Sequence, residues 1–329
     1  MMGESAQEKD ARTKPELARR EAPLLGGRLG LGVAVELLRD PLAFLIRAHA
    51  RHGSVFRVKA ATRQFVVLAG QSANRFAGAD GRSALESRTF WGRLADYREC
   101  PHMILAEDGE PHRTQRKHYG DVLSKWIVEE RREGCDEIIR TTFRAGPDGL
   151  VNVSEQTRLL IARLVHHCLT GGAPLVPEQT TRSLLEVFRW ETNTLLLGKW
   201  PRIALRAPSY RRHYARAESF IAELARSEQQ TAESELGGWF KKVRQGRERF
   251  PELFSGGDHR MALLLPFVAG VDTVGATLGF LLATVCRDAG LLDQLKQEVE
   301  QAYVACAGPP DVETLRGCPT LFGCVLECL

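Results

Sequence analysis

The sequence has no long tract of one charge sign. Its 45 basic and 41 acidic residues are interspersed along 329 positions and leave a net charge of +4. That balance removes the electrostatic footprint of a nucleic-acid binder. Trp126, Trp190, Trp200 and Trp239 have no interleaved basic groove in which bases would stack. The eight cysteines, Cys100, Cys135, Cys168, Cys286, Cys306, Cys318, Cys324 and Cys328, include no CxxC pair and are irregularly spaced. A chain this large needs no disulfide staples, so they read as reduced, mostly structural thiols. No repeat period is present. Met1 to Pro23 lacks the apolar core of a signal peptide and carries Glu4, Glu8 and Asp10, too acidic for a transit peptide. It reads as a disordered charged tail, residues 1–23; length allows one large domain or two smaller ones after it, and the protein is expected to stay in the cytoplasm.

What is present in quantity is apolar residues, 43% of the chain, enough for a sizeable core. They concentrate in Met261 to Cys286, a run interrupted in its middle by Asp272 and Thr273. A helix apolar on every side must be enclosed, by a large core or by a bilayer. Gly275 and Gly279 have the small-xxx-small spacing of packed membrane helices. Pro266, Asp272 and flanks without asymmetric basic charge (Asp258, His259 and Arg260 before, Arg287 and Asp288 after) argue against a span. Composition alone leaves span and buried central helix equally open.

Pro23 to Gly32 is rich in Gly and Leu, but no strand precedes it, so it reads as a loop and not as a dinucleotide-binding turn. Pro41 to Arg51 has the pattern of a short amphipathic helix. Ser54 to Lys59 and Gln64 to Leu68, separated by Ala60 to Arg63, read as a β-hairpin. Beyond residue 70 the period is helical, with long helices over Glu155 to Leu169, Glu178 to Leu197, Tyr210 to Gln229, Arg260 to Arg287 and Leu291 to Cys306. Breaks fall at Gly146-Pro147-Asp148, Gly171-Gly172, Lys199-Trp200-Pro201 and Gly256-Gly257. The fold class is mainly α with a small β-sheet. His166-His167-Cys168 looks like a set of metal ligands, yet adjacent helical residues point about 100° apart and do not converge on one ion. No metal site is assigned.

Three constellations follow in order. In Gly109-Glu110-Pro111-His112-Arg113-Thr114-Gln115-Arg116, His112 and Arg116 stand at i, i+4 on one helical face and can grip paired carboxylates. An exposed basic face gives the same pattern. Within the apolar helix, Ala269-Gly270-Val271-Asp272-Thr273 allows Thr273 to bond back to the Ala269 carbonyl. Gly270 leaves open the space a Cβ would fill. At the end of the chain, Leu321 to Leu329 has helical apolar spacing with Glu327 embedded among Leu, Cys and Phe, a place that calls for a cationic partner.

Together, and in this order, these segments resemble the cytochrome P-450 superfamily of heme-thiolate monooxygenases, of the soluble bacterial type, over about Leu24 to the last residue. The resemblance implies that the apolar helix is buried and no membrane span. It implies a heme whose propionates meet His112 and Arg116. Ala269, Gly270, Asp272 and Thr273 match the family's (A/G)Gx(D/E)T string, so Asp272 and Thr273 would deliver protons at the oxygen site. Glu327 matches the Glu of an ExxR helix, and the Val55 to Leu68 hairpin matches the first sheet strands. Also implied are O2, a hydrophobic small-molecule substrate and an electron-transfer partner such as a ferredoxin or flavoprotein. Ser87 to Met103, with Phe90, Trp91, Tyr97 and Met103, and Phe188 to Leu197 fall where the family covers its substrate pocket.

The departure is at the end of the chain. The Arg of ExxR would lie one position past Leu329, and no cysteine here sits in an FxxGxxxCxG context. The heme-ligating Cys is therefore expected beyond Leu329, as in a C-terminally truncated member, an inactive fragment that leaves apolar surface uncovered and is prone to aggregate. The alternative reading is a non-catalytic helical binding or scaffold protein of the same fold, soluble and free of heme.

Overall fold

A computed structural model describes residues 21–27, 32–60, 63–120, 122, 129–143, 145, 149–171 and 176–328. Most of the tail assigned to residues 1–23, the break at 146–148, Gly172, Trp126 and Leu329 lie outside the described residues. The chain divides into two compact units, residues 1–86 and 87–329.

The first unit is built on a three-stranded sheet, β1 (Leu24–Leu25), β2 (Val55–Ala60) and β3 (Arg63–Leu68), with β2 in the centre. β1 runs parallel to β2, and β2 runs antiparallel to β3 with Val58 opposite Phe65. Two helices, α1 (Ala34–Arg39) and α2 (Pro41–His52), precede the hairpin, and α3 (Gln71–Gly78) follows it. Asp40 fixes the start of α2: its carboxylate accepts the Ala43 N–H at 2.9 Å, and Pro41 occupies the first turn, where no N–H is needed. Strand alternation sends Phe56 and Val58 inward to meet Val33, Phe44 and Ala48. The expected helix and hairpin are both present.

The second unit is helical: α4 (Arg88–Tyr97), α5 (Gly109–Tyr119), α6 (Arg132–Thr142), α7 (Val153–Val165), α8 (Glu178–Glu191), α9 (Pro208–Gln230), α10 (Gly238–Arg249), α11 (Gly256–Val285), α12 (Ala289–Ala305), α13 (Val312–Arg316) and α14 (Pro319–Cys328). The sequence period placed the five long helices correctly but missed that two of them end in π turns. The helix expected over Glu155 to Leu169 is α7 followed by His166–Thr170, and that over Glu178 to Leu197 is α8 followed by Thr192–Leu196. α11 begins one turn earlier than Arg260, at Gly256.

α11 is long and apolar enough to cross a membrane by length and composition. It is not enclosed on every side, as its composition suggested. Leu263, Leu264, Phe267 and Val271 are buried, whereas Val274 is 50% and Phe280 62% exposed. α12 and α14 add Val304, Phe322 and Leu326 to the exposed apolar residues. Asp272 and Thr273 lie at the crossover between these halves and are not buried. Glu327 is exposed as well and is not held among apolar side chains.

The glycine pair in α11 serves helix packing. A Cβ on Gly275 would lie 2.9 Å from Cγ and 3.0 Å from Cα of Arg158, and one on Gly279 would lie 3.3 Å from the Thr157 hydroxyl. α7 thus rests directly on the backbone of α11. A second tie is ionic. Arg98, just after α4, pairs with Glu191 at 2.9 Å and with Glu218 at 3.1 Å, and Tyr210 donates its hydroxyl to Glu191 at 2.8 Å. Burial pushes the Glu191 carboxyl above the usual carboxylate range, while Arg98 and Tyr210 pull it back. One guanidinium so joins α4, the end of α8 and the middle of α9. Arg98→Ala would strand Glu191, whose side chain is 2% exposed. It should destabilise the second unit by about 3 kcal/mol in urea denaturation, because an unpaired buried carboxylate remains.

Candidate functional site

Pro266 determines how the middle of α11 is held. Proline has no N–H, so the carbonyl four residues earlier, Ala262, loses its helical donor. The indole of Trp239, at the start of α10, donates to that carbonyl at 2.8 Å. Trp239 in turn stacks on Tyr119, the last residue of α5, with ring centroids 4.2 Å apart and planes 5° from parallel. His118 donates from its ring to the Lys242 carbonyl at 2.7 Å and ties α5 to α10 again. A helix defect and two aromatic rings therefore make one wall.

The segment before α5 closes another side. Asp258, in the first turn of α11, accepts the His102 N–H at 2.7 Å, and Gln115 donates to the His102 carbonyl at 2.8 Å. These two bonds fix the main chain at His102, two residues before Ile104. Burial pushes the Asp258 carboxyl up to about 6, opposed by the His102 N–H.

Between these walls lies an open-sided cavity of about 360 Å³, bounded by Tyr119, Trp239, Leu265 and Pro266 and by Val165 and Leu169 from the end of α7 and its π turn. His112, Arg116, Ala269 and Gly270 also line it. Four of the residues singled out in the sequence, on two helices more than 150 positions apart, are thus brought together. Arg116 is exposed, and among the described residues it carries no hydrogen bond or ion pair. A Cβ on Gly270 would meet only Cγ2 of Val165, at 3.5 Å, so the glycine leaves the α11 face flat without being sterically required.

Asp272 and Thr273 do not line this cavity. Asp272 turns toward α7 and accepts from Nε of Arg158 at 2.8 Å, its side chain 50% exposed. The Asp272 carboxylate, set in the most apolar run of the sequence, is therefore half-exposed and paired. Thr273 is exposed, and its hydroxyl donates to the Ala269 carbonyl, as the spacing implied. The sequence reading missed Tyr119, Trp239, Val165, Leu169 and Arg158. The signal available was Pro266, since a proline inside a long helix implies an orphaned carbonyl that some donor must satisfy. Among the described residues no group of three His, Cys, Asp or Glu is arranged to hold a metal ion.

Two outcomes follow from these contacts. Trp239→Phe leaves the Ala262 carbonyl without its donor and should cost about 2 kcal/mol. Pro266→Ala supplies a main-chain N–H, and in that background the same substitution should cost about 1 kcal/mol less. Equal costs in both backgrounds, measured by urea denaturation, would refute the pairing. For Asp258, the folded protein holds its proton to a higher pH than the unfolded chain, whose ordinary value is 3.8. The stability this contributes is fully present below that value and is lost as pH rises through about 6. Asp258→Asn keeps an acceptor for His102, so it should flatten the stability profile between pH 4 and 6 and raise stability at pH 7 by about 1 kcal/mol.

No curated protein sequence matches this chain. Among solved structures it is similar to the retinoic acid-bound cyanobacterial CYP120A1, with a TM-score of 0.70 and 18% identity, over 94% of this chain and 68% of that one. That likeness establishes the mainly helical fold with its small sheet. A sequence model of the Cytochrome P450 family matches residues 24–329. The match takes in both the sheet unit and the helices that frame the cavity, and the chain belongs to the cytochrome P450 family.

Proposed function

We propose that the chain forms one wall of a heme-dependent monooxygenase site, in which an oxygen atom from O2 is inserted into a hydrophobic small molecule. The observation that carries this reading is the meeting of His112 and Arg116 with the flat Ala269–Gly270 face in one cavity. The residues present fit one side of a planar apolar group with anionic arms. Leu105, Val165, Leu265 and Ala269 would supply the apolar contacts, the missing side chain of Gly270 would let the ring approach the helix, and His112 and Arg116 line the same cavity. Family membership implies heme, which when bound supplies an iron centre for oxygen chemistry.

The iron ligand is proposed to come from outside the eight cysteines present. None of them lines the cavity. Electrons would come from a separate donor such as a ferredoxin or flavoprotein. α11 acts in this reading as the central helix of the fold and not as a membrane span, in keeping with its buried packing against α7.

The roles of Asp272 and Thr273 rest on reach. Thr273 Oγ1 is held by the Ala269 carbonyl, one turn from the residue that lines the cavity, and keeps its lone pairs free to accept a proton from a donor. Asp272 would carry protons from solvent. Its ion pair with Arg158 is half exposed and worth at most about 1 kcal/mol, so the carboxylate can leave it at little cost.

Hemin titration, followed by quenching of tryptophan fluorescence, tests the cradle on this chain. The double substitution His112→Ala, Arg116→Ala should weaken hemin binding at least about tenfold, the loss of one or two charge-assisted contacts. Unchanged affinity would remove both residues from the site. In a protein that carries the thiolate ligand, Thr273→Ala should lower product formed per electron consumed while heme content stays constant. Unchanged coupling would count against the relay.

A further inference from the structure

Cys135 on α6 and Cys168 in the first π turn face each other with 3.4 Å between their sulfurs. Both are buried, and neither lines the cavity. Three other cysteines have oxygen partners instead: Cys100 bonds to the Ala95 carbonyl, while Cys306 and Cys318 meet the hydroxyl and the carbonyl of Thr314. Cys168 meets α6 from within the π turn, where residues 166–170 leave the α-helical register of α7.

An open cleft of about 600 Å³, lined by Arg131, Gly134 and His167, adjoins the pair through the residue preceding each cysteine. His167 lies over Gly134 so closely that a Cβ there would be 2.2 Å from its Nε2, a nitrogen that is buried without a hydrogen-bond partner. Only glycine lets the two elements meet there. The two thiols are also unequal. The hydrogen bond from Cys168, aided by the charge of Arg131, lowers the Cys135 thiol against the opposing effect of burial. The same bond, with burial, pushes Cys168 up. One sulfur is thus prepared as nucleophile and the other as resolving thiol.

We infer that Cys135 and Cys168 form a redox-active dithiol, which hydrogen peroxide oxidises to a disulfide and reducing thiols reopen. The Cys135 thiolate attacks one peroxide oxygen, the O–O bond breaks, and hydroxide leaves and is protonated to water. Cys135 is then a sulfenic acid. Cys168 gives up its proton as its sulfur attacks that of Cys135, the S–O bond breaks, and the second oxygen departs as water. Two thiols are oxidised and one peroxide is reduced to two waters. The sulfurs need to close from 3.4 Å to about 2 Å. Leu169, the next residue, lines the cavity, so the bond pulls on its wall.

The test treats the full chain with a small excess of hydrogen peroxide, alkylates remaining thiols and maps tryptic peptides by mass spectrometry. The expected product links residues 133–140 to residues 164–182 with the loss of two hydrogens, and a reducing phosphine restores both thiols. In Cys168→Ser, Cys135 should stop at a sulfenic acid trapped by dimedone, whereas in Cys135→Ser residue 168 should stay a free thiol. The inference fails if the wild-type chain gives sulfinic or sulfonic acid at Cys135 without the linked peptide. It fails equally if the exposed Cys286 is oxidised while both of these thiols remain free.

Discussion

The second unit depends on the absence of a side chain at Gly275. With no Cβ there, α7 comes to rest on the α11 backbone at Arg158, and every later feature of the site inherits that distance. It puts Val165 opposite Gly270 and sets Leu169 into the cavity wall. It also brings the Arg158 guanidinium to Asp272. A hydrophobic helix could pack against α7 in many registers; two glycines four residues apart, meeting Arg158 and Thr157, select one. Arg98 does the equivalent work at the other end of the bundle, where the requirement is charge compensation and not close approach.

Much of the fold was legible in the sequence because periodicity reports burial directly. The hairpin and the long helices were visible in spacing alone, and the Thr273 back-bond followed from helical geometry, whereas His112 and Arg116 were set apart from an ordinary basic helix face only by the family resemblance. The parts that were not legible have physical reasons. A π turn keeps an apolar helical pattern while shifting its register by one residue, so Thr192–Leu196 and His166–Thr170 read as uninterrupted helix. The burial of Asp272 was misjudged because average apolarity says nothing about which stretch of a helix is covered. Its N-terminal half is, its C-terminal half is not, and Asp272 sits at the change. Trp239 was invisible as a site residue since its role depends on an orphaned carbonyl created by Pro266, a pairing across 23 positions that no local pattern encodes.

The candidate site combines two kinds of order. Its walls are fixed by bonds that are buried and specific: the indole on Ala262, the Tyr119 stack, and the carboxylate of Asp258 on His102. Its polar side chains are less enclosed: Arg116 is exposed and His112 half-buried, while Asp272 and Thr273 lie outside the cavity on the same helix as its Ala269–Gly270 face. Rigid apolar walls with a basic side chain free at the margin suit a cavity that keeps its shape whether or not it is filled.

The order of the helices along the chain gives α11 a particular history during synthesis. Its buried half packs on α7, α8, α9 and α10, all of which lie upstream and have left the ribosome before Gly256 emerges. That half finds its partners waiting, as does the strip at Gly275 and Gly279 that receives α7, and only the outer face around Phe280 emerges uncovered. That face is the natural handhold for a chaperone, and vectorial folding confines the hazard of a long apolar helix to the side its upstream partners do not cover.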